Sequence, residues 1–210
     1  MKPYFIQFSF YYEHELDKKG RIYRKVINSM SLAAIILCAG NGTRMNSDLP
    51  KVLHKLAGFP LIHHVMNTAQ ELGVSKTVIV VGKDSDKVSK AAFDFNDDVI
   101  IEKQDKQLGT GHAVQKAMPA LKNSDDDVII TLDGDDWLAN DCVLTRLNEI
   151  YEKNDCWLTY GSYVQYPNGH DSSFHVSAYP EDIIKNGDFR NDSAWRASHL
   201  RTFKYNLAKR

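Results

Sequence analysis

The sequence is poor in the features that would mark several broad classes of protein. It has only three cysteines, Cys38, Cys142 and Cys156. The number is odd and the spacings fit no metal-ligand pattern. That argues against a disulfide scaffold or a zinc module and for a reduced, cytoplasmic setting. No apolar run approaches the ~20 residues that a membrane-spanning helix requires. Residues 1–12 are aromatic but lack an early basic cluster, a long aliphatic core and a small-residue cleavage site, so no signal peptide is expected. Excess charge of one sign is missing too. Lys and Arg number 26 against 27 Asp and Glu, a formal net charge of −1, which gives no global attraction to nucleic acid or an anionic membrane. Internal repeats are absent. What remains is a chain of 210 residues, 43% hydrophobic and 25% charged, enough for one domain of generous size or one domain with an appendage.

Three zones differ in texture. Residues 1–29 are aromatic, then charged, with no clean period, and Met30 stands just before a strand-like run. This zone is expected to be an extension whose order the sequence leaves open, with Met30 as an alternative start. Residues 30–166 alternate strand and helix. Residues 32–38 form a continuous apolar run, as a strand buried on both faces requires. Across 61–72, Leu61, Ile62, Val65, Met66, Ala69 and Leu72 share one helical face, and Gly73 stops the helix. Strands are expected at 77–81, 99–101, 128–132 and 156–160, and helices at 111–121 and 143–151. Such repeated β-α-β units predict an α/β fold with a mostly parallel sheet, helices on both faces and ligands at the carboxyl ends of the strands. Residues 167–210 close the same domain as a loop-rich, locally basic segment, with 167–190 rich in Pro, Gly, Asn, Asp and Ser.

The first strand runs into Leu37-Cys38-Ala39-Gly40-Asn41-Gly42-Thr43-Arg44-Met45. Gly40 and Gly42 let backbone N–H groups approach phosphate oxygens, and Arg44 can add a planar cationic fork. On glycines alone, an ordinary strand-to-loop turn with a solvated arginine fits as well. The dinucleotide fingerprint is excluded because its last glycine position is Met45, and a P-loop because no Gly-Lys-Ser/Thr follows. Beyond the loop, Ser47-Asp48-Leu49-Pro50-Lys51-Val52-Leu53-His54 sets Lys51 after a stiffening proline. Farther on comes Gln104-Asp105-Lys106-Gln107-Leu108-Gly109-Thr110-Gly111-His112-Ala113. The amides of Gln104 and Gln107 suit a base edge, and Gly109 suits close backbone approach.

Residues 32 to about 132, through these three motifs, resemble the N-terminal half of the uridylyltransferase domain of bacterial bifunctional N-acetylglucosamine-1-phosphate uridylyltransferases. The resemblance implies a Rossmann-like nucleotide-diphospho-sugar transferase fold of the GT-A-like kind, and makes 30–166 a nucleotide-binding domain. It also implies a reaction in which UTP and a sugar 1-phosphate give a UDP-sugar and pyrophosphate with Mg²⁺, Mn²⁺ being an alternative. By position Arg44 would stabilise the triphosphate and Lys51 the attacked α-phosphate. Leu37, Cys38, Ala39, Gly40, Gly42 and Thr43 would line the nucleotide, while Gln104, Gln107, Gly109 and Thr110 would hold the uridine. Cys38 stands where that family usually has alanine.

Asp133-Gly134-Asp135-Asp136 follows the 128–132 strand. Hard oxygen ligands at a strand's carboxyl end suit Mg²⁺ or Mn²⁺ bridging phosphates, although Asp and Gly also favour plain turns. Gly134-Asp135 matches the uridylyltransferase pattern, with Asp135 as metal ligand. Asp136-Trp137-Leu138 departs from it. Residues 132–204 instead resemble the second half of a family 2 glycosyltransferase, carried by Asp133 to Leu138, Trp157 to Gly161 and Trp195 to Phe203. That resemblance implies a D-x-D metal site at Asp133 and Asp135 and an acceptor or diphosphate region at 195–203.

Three functions follow: a nucleotidyltransferase acting on a nucleoside triphosphate and a sugar 1-phosphate, a glycosyltransferase using a nucleotide-sugar donor, and an inert composite that only binds nucleotide. Several lesser features have plainer readings. The adjacent His63 and His64 point apart on a helix and read as solvated or packed. His112 reads as a packing or capping residue and Asp125-Asp126-Asp127 as a solvated loop. His199 lies among arginines near a possible phosphate. Tyr160, Tyr163 and Tyr166 read as cover for a sheet edge.

Overall fold

The computed structural model describes residues 5–8, 32–40, 42, 45–71, 73–122, 128–136, 143–153, 156, 158–161, 180–186 and 201–205. The continuous apolar runs become the centre of a seven-stranded sheet. β2 (Leu32–Cys38) pairs parallel with β7 (Val128–Asp133) on one side and with β5 (Lys76–Val81) on the other. β6 (Ile100–Lys103) pairs parallel with β5 at the far edge. Ala33 to Ile36 and Val78 to Val81 are fully shielded from solvent. A strand covered on both faces favours apolar side chains on either side, which explains these long apolar runs.

Helices cover both faces. α1 (Leu61–Glu71) buries Ile62, Val65, Met66 and Ala69, the expected face, and α2 (Ser85–Phe95) lies beside it, burying Val88 and Ala92. Val143 and Leu147 of α4 (Val143–Lys153) join the same core. On the opposite face, α3 (Thr110–Ala117) runs into a 3₁₀ turn at Met118–Leu121, and Ala113, Ala117 and Leu121 pack on Ile35, Val78 and Val80. Burial of each large aliphatic side chain stabilises the fold by roughly 1.5–3 kcal/mol. A small hairpin, β3 (Lys55–Leu56) and β4 (Phe59–Pro60), precedes α1.

Four features differ from the expectations. The run from Ser85 to Phe95, not among the expected elements, is a helix that buries Val88 and Ala92, with Ala91 and Phe95 packed against the same core. The fourth expected strand begins later: Cys156 is a buried approach residue and β8 is Leu158–Gly161. Within the expected loop of 167–190, Glu181–Asn186 forms a short helix, α5. Its acidic first turn (Glu181, Asp182) and Lys185 in its last turn suit the helix dipole, and Lys185 reaches Glu181 at 3.2 Å. Finally, the sheet is mixed. β9 (Arg201–Lys204) inserts antiparallel between β7 and β8, giving the order β1-β8-β9-β7-β2-β5-β6. β1 (Phe5–Phe8), from the expected extension, lies parallel to β8 at the other edge.

β9 is fixed by buried hydroxyls. Thr202 Oγ1 shares hydrogen bonds with Tyr151 Oη at 2.9 Å and with Thr159 Oγ1 at 2.6 Å, tying α4, β8 and β9 together. Burial pushes the Tyr151 phenol up to about 12, against the hydrogen bonds from Thr202 and Thr159 that favour its ionised form. A raised folded-state value means that ionisation opposes folding. The unfolded chain loses this proton near pH 10 while the folded one keeps it to about pH 12, so stability falls as pH rises through that interval. The loss is on the order of 2–3 kcal/mol at the top of the window, since one pKa unit is about 1.4 kcal/mol. Tyr151→Phe is expected to flatten the alkaline limb of a Tm-versus-pH profile and to lower Tm near neutrality, where a buried hydrogen bond is lost. An unchanged alkaline limb would remove Tyr151 from this role.

Candidate active site

The carboxyl ends of β7, β2, β5 and β6 lie side by side, and the segments leaving them carry the chemistry. After β7 the chain makes a tight turn in which Gly134 N–H donates to the Leu37 carbonyl at 3.0 Å and Asp136 N–H to the Asp133 carbonyl at 3.1 Å. A Cβ on Gly134 would stand 2.6 Å from Cys38 Sγ and 2.8 Å from Val52 Cγ1. Only glycine lets the turn sit this low against β2.

Asp135 then forms an ion pair with Lys51, which opens the 3₁₀ turn Lys51–Leu53. Lys51 is held from behind by the glycine loop: Gly42 adopts φ +58, and a Cβ there would lie 3.1 Å from Lys51 Cβ. Gly42 also accepts from Met45 N–H at 2.8 Å. The loop glycine, the lysine and the acid, distant in sequence, thus form one unit over the end of β2. Ala39 is buried and Gly40 exposed at its start. Thr43 and Arg44 lie outside the described residues, as do Asp125 to Asp127, Tyr163, Tyr166 and His199.

The Cys38 thiol is buried beneath the Gly134 turn, and burial, then the nearby charges of Asp135 and Asp133, push its ionisation far above the ordinary thiol range. The Leu37 carbonyl accepts from Gly134 N–H.

Across the site, the 104–109 loop leans on the glycine loop, with Gln107 Nε2 donating to the Ala39 carbonyl. Gln104 is 4% exposed, and its Nε2 donates to the Gly109 carbonyl at 3.1 Å and meets His112 Nδ1 at 3.0 Å. Both amide nitrogens hold protein acceptors, and for the buried Gln104 an N–H donor left unpaired would be costly. Gly109 takes φ +94, a conformation glycine reaches without strain, and starts α3 so that Thr110 is its first, exposed residue.

Two residues escaped the sequence reading. Gly82, at the end of β5, stands where a Cβ would lie 2.7 Å from the Ala39 carbonyl oxygen, so β5 abuts the glycine loop directly. A small residue closing a β-branched strand was its signal. His112 is the other, treated below. His63 and His64 are packed, with Nε2 of each against a backbone carbonyl, of Ala91 at 2.7 Å and of Leu56 at 2.9 Å.

Among the described residues no group of three or more His, Cys, Asp and Glu is arranged to hold a metal. Two carboxylates, Asp133 and Asp135, lie close enough to Cys38 for both charges to act on its thiol. One or two carboxylates completed by substrate phosphates and water is the usual donor set of Mg²⁺, so these residues fit an ion shared with a nucleotide and not an all-protein cage.

This fold and this site together define the nucleotidyltransferase class. The MobA-like NTP transferase domain matches residues 34–181, and the chain belongs to that family. The bifunctional protein GlmU of Roseobacter denitrificans is 54% identical over 101 residues, 48% of this chain and 22% of that protein. GlmU of Ruegeria sp. is 41% identical over 126 residues, 60% of this chain and 28% of that protein. The chain therefore spans only about a quarter of the length of these curated relatives. Among solved structures, HddC from Yersinia pseudotuberculosis superimposes with a TM-score of 0.57 at 20% identity, covering 85% of this chain and 79% of that one. The 4-diphosphocytidyl-2C-methyl-D-erythritolsynthase from Anaerococcus prevotii gives 0.55 at 16% identity, covering 85% and 71%. Both likenesses are of fold. The family match runs on to residue 181, past Asp133. Among the described residues, no helix is long and apolar enough to cross a membrane.

Proposed function

We infer that the chain is the nucleotide-handling part of a sugar-1-phosphate nucleotidyltransferase that forms a UDP-sugar, UDP-N-acetylglucosamine by likeness to GlmU, in the cytoplasm. The observation that carries this reading is the Lys51–Asp135 pair set against the glycine loop. A phosphate oxygen of the sugar 1-phosphate attacks the α-phosphorus of UTP, the new P–O bond forms, and the bond to the bridging oxygen breaks as pyrophosphate leaves. Such transfer is mainly positioning and charge neutralisation. Mg²⁺ held by Asp135 and Asp133 would supply part of that neutralisation. Lys51 supplies a cation at the α-phosphate, Arg44 a second at the outer phosphates, and backbone N–H groups of the Gly40–Gly42 loop supply dipoles. In the absence of nucleotide, Asp135 neutralises Lys51; an arriving phosphate competes for the ammonium and leaves the carboxylate available as an oxygen donor.

Pyrophosphate release from UTP and N-acetylglucosamine 1-phosphate with Mg²⁺ tests the reading. Release is expected to need both substrates and Asp135. Folded protein that binds UTP but releases nothing would overturn it.

A second reading, a glycosyltransferase using a nucleotide-sugar donor, draws on the Asp133-Gly134-Asp135 sequence at the carboxyl end of β7. It predicts hydrolysis of UDP-sugars in place of pyrophosphate release. Absence of both activities, with UTP still bound, would leave the composite that only binds nucleotide.

A further inference from the structure

The contact between Gln104 and His112 carries an inference about base selection. A primary amide has two N–H donors on its nitrogen and lone pairs on its oxygen. The Gly109 carbonyl can only accept, so the Gln104 atom 3.1 Å from it must be the nitrogen. The same nitrogen lies 3.0 Å from His112 Nδ1, which must then accept the second proton. The imidazole is thereby fixed in the tautomer with its proton on Nε2, and both donors of the amide are consumed.

The oxygen is left over. Gln104 is 4% exposed, yet its Oε1 makes no hydrogen bond among the described residues and is not sealed away from solvent as His54 Nε2 is. It sits on the loop that Gln107 clasps to Ala39. A nearly buried side chain thus presents an acceptor and no donor.

We propose that His112 is a positioning residue for base selection: by accepting the second amide proton of Gln104, it makes the site select bases with an imino N–H. That chemistry belongs to uracil N3–H among pyrimidines and guanine N1–H among purines. Cytosine N3 and adenine N1 present a lone pair there, and acceptor facing acceptor is repulsive in a poorly solvated site. The inference rests on the nucleotide-binding reading above and deepens it from a nucleotide to a class of base. Without His112, the amide's second N–H turns free and the group offers both a donor and an acceptor, so discrimination collapses while the phosphate contacts stay.

The test measures dissociation constants of UTP, GTP, CTP and ATP by calorimetry for the full chain, His112→Ala and His112→Asn. The native protein is expected to prefer UTP over CTP at least about tenfold, about 1.4 kcal/mol. His112→Ala is expected to bring the ratio within about threefold. His112→Asn, whose side-chain oxygen can accept the same proton, is expected to restore much of it. A UTP:GTP comparison tells which imino base fits. A long-range ¹H–¹⁵N spectrum of the native imidazole is expected to show the proton on Nε2, a readout independent of how the variants fold. A His112→Ala protein with the native melting temperature and an unchanged UTP:CTP ratio would overturn the proposal, as would a proton found on Nδ1. Native protein binding all four triphosphates equally would overturn it while sparing the nucleotidyltransferase reading. No binding of any triphosphate would overturn both.

Discussion

Asp135→Asn is expected to lower pyrophosphate formation by about 10²–10³-fold, the range for losing one preorganised charge-stabilising group. The substitution keeps the shape of the side chain and the Gly134 turn beneath it, so it isolates charge. Two effects separate because Asp135 is paired with Lys51. Removing the carboxylate frees the ammonium, and UTP binding without Mg²⁺ is expected to hold or tighten. The gain that Mg²⁺ adds to UTP binding is expected to shrink. Lys51→Met should produce the mirror image: weaker UTP binding without metal, an unopposed Asp135 carboxylate and tighter Mg²⁺ binding in the absence of nucleotide. Since the two groups interact directly, their losses in turnover are expected to be non-additive, the double variant falling short of the product of the singles. Rates within tenfold of native for Asp135→Asn would place the carboxylate outside the chemistry and leave it as a plain partner of Lys51.

That exchange explains why an ion pair, a poor source of stability at a partly exposed position, stands at the centre of the site. Under the proposed function, Lys51 and Asp135 satisfy each other until a triphosphate arrives, and each would then gain a better partner. The Gln107–Ala39 and Gln104–Gly109 contacts follow the same logic at the base end, where protein acceptors hold amide donors in place.

The parts of the fold legible in the sequence are those in which one element's environment dictates every residue. β2, β5 and β7 lie inside the sheet, so apolar residues dominate their runs. α1 and α4 show themselves by four buried positions each at helical spacing. α2 has the same spacing in Val88, Ala91, Ala92 and Phe95, but only Val88 and Ala92 are fully buried. β9 was illegible for another reason. Its place between β7 and β8 depends on Thr202 meeting Tyr151 and Thr159, hydroxyls that read as surface residues until their partners are known. In the site, residue types were legible and contacts were not. Lys51 and Asp135 were both marked by motif, but their pairing is tertiary. The burial of Cys38 under Gly134 is visible only with the turn in place. His112 looked like a cap or packing residue, since nothing local in a sequence tells which amide will donate to a ring nitrogen.

Gly134→Ala is the change expected to damage both fold and chemistry. The added Cβ would fall 2.6 Å from Cys38 Sγ, 2.8 Å from Val52 Cγ1 and 3.2 Å from the Leu37 carbonyl oxygen. None of these neighbours is the far end of a flexible side chain: Cys38 is a short residue on the central strand, and the carbonyl is the acceptor for Gly134 itself. The turn must rise, stretching the Gly134–Leu37 hydrogen bond and lifting Asp135 away from Lys51. Overpacking of this kind costs about 1–3 kcal/mol, which in a chain of 210 residues lowers Tm by on the order of 5 °C. Turnover should fall further than stability alone explains, because a misplacement of ~1 Å can cost a hundredfold in rate. The mechanism is checked by a cycle with Cys38→Ala, which removes the nearest of the three clashing atoms. The double variant is expected to melt above Gly134→Ala although Cys38→Ala alone is destabilising, a coupling of opposite sign to simple addition. Native melting for Gly134→Ala, or strict additivity in the cycle, would show that the turn has room the geometry denies it.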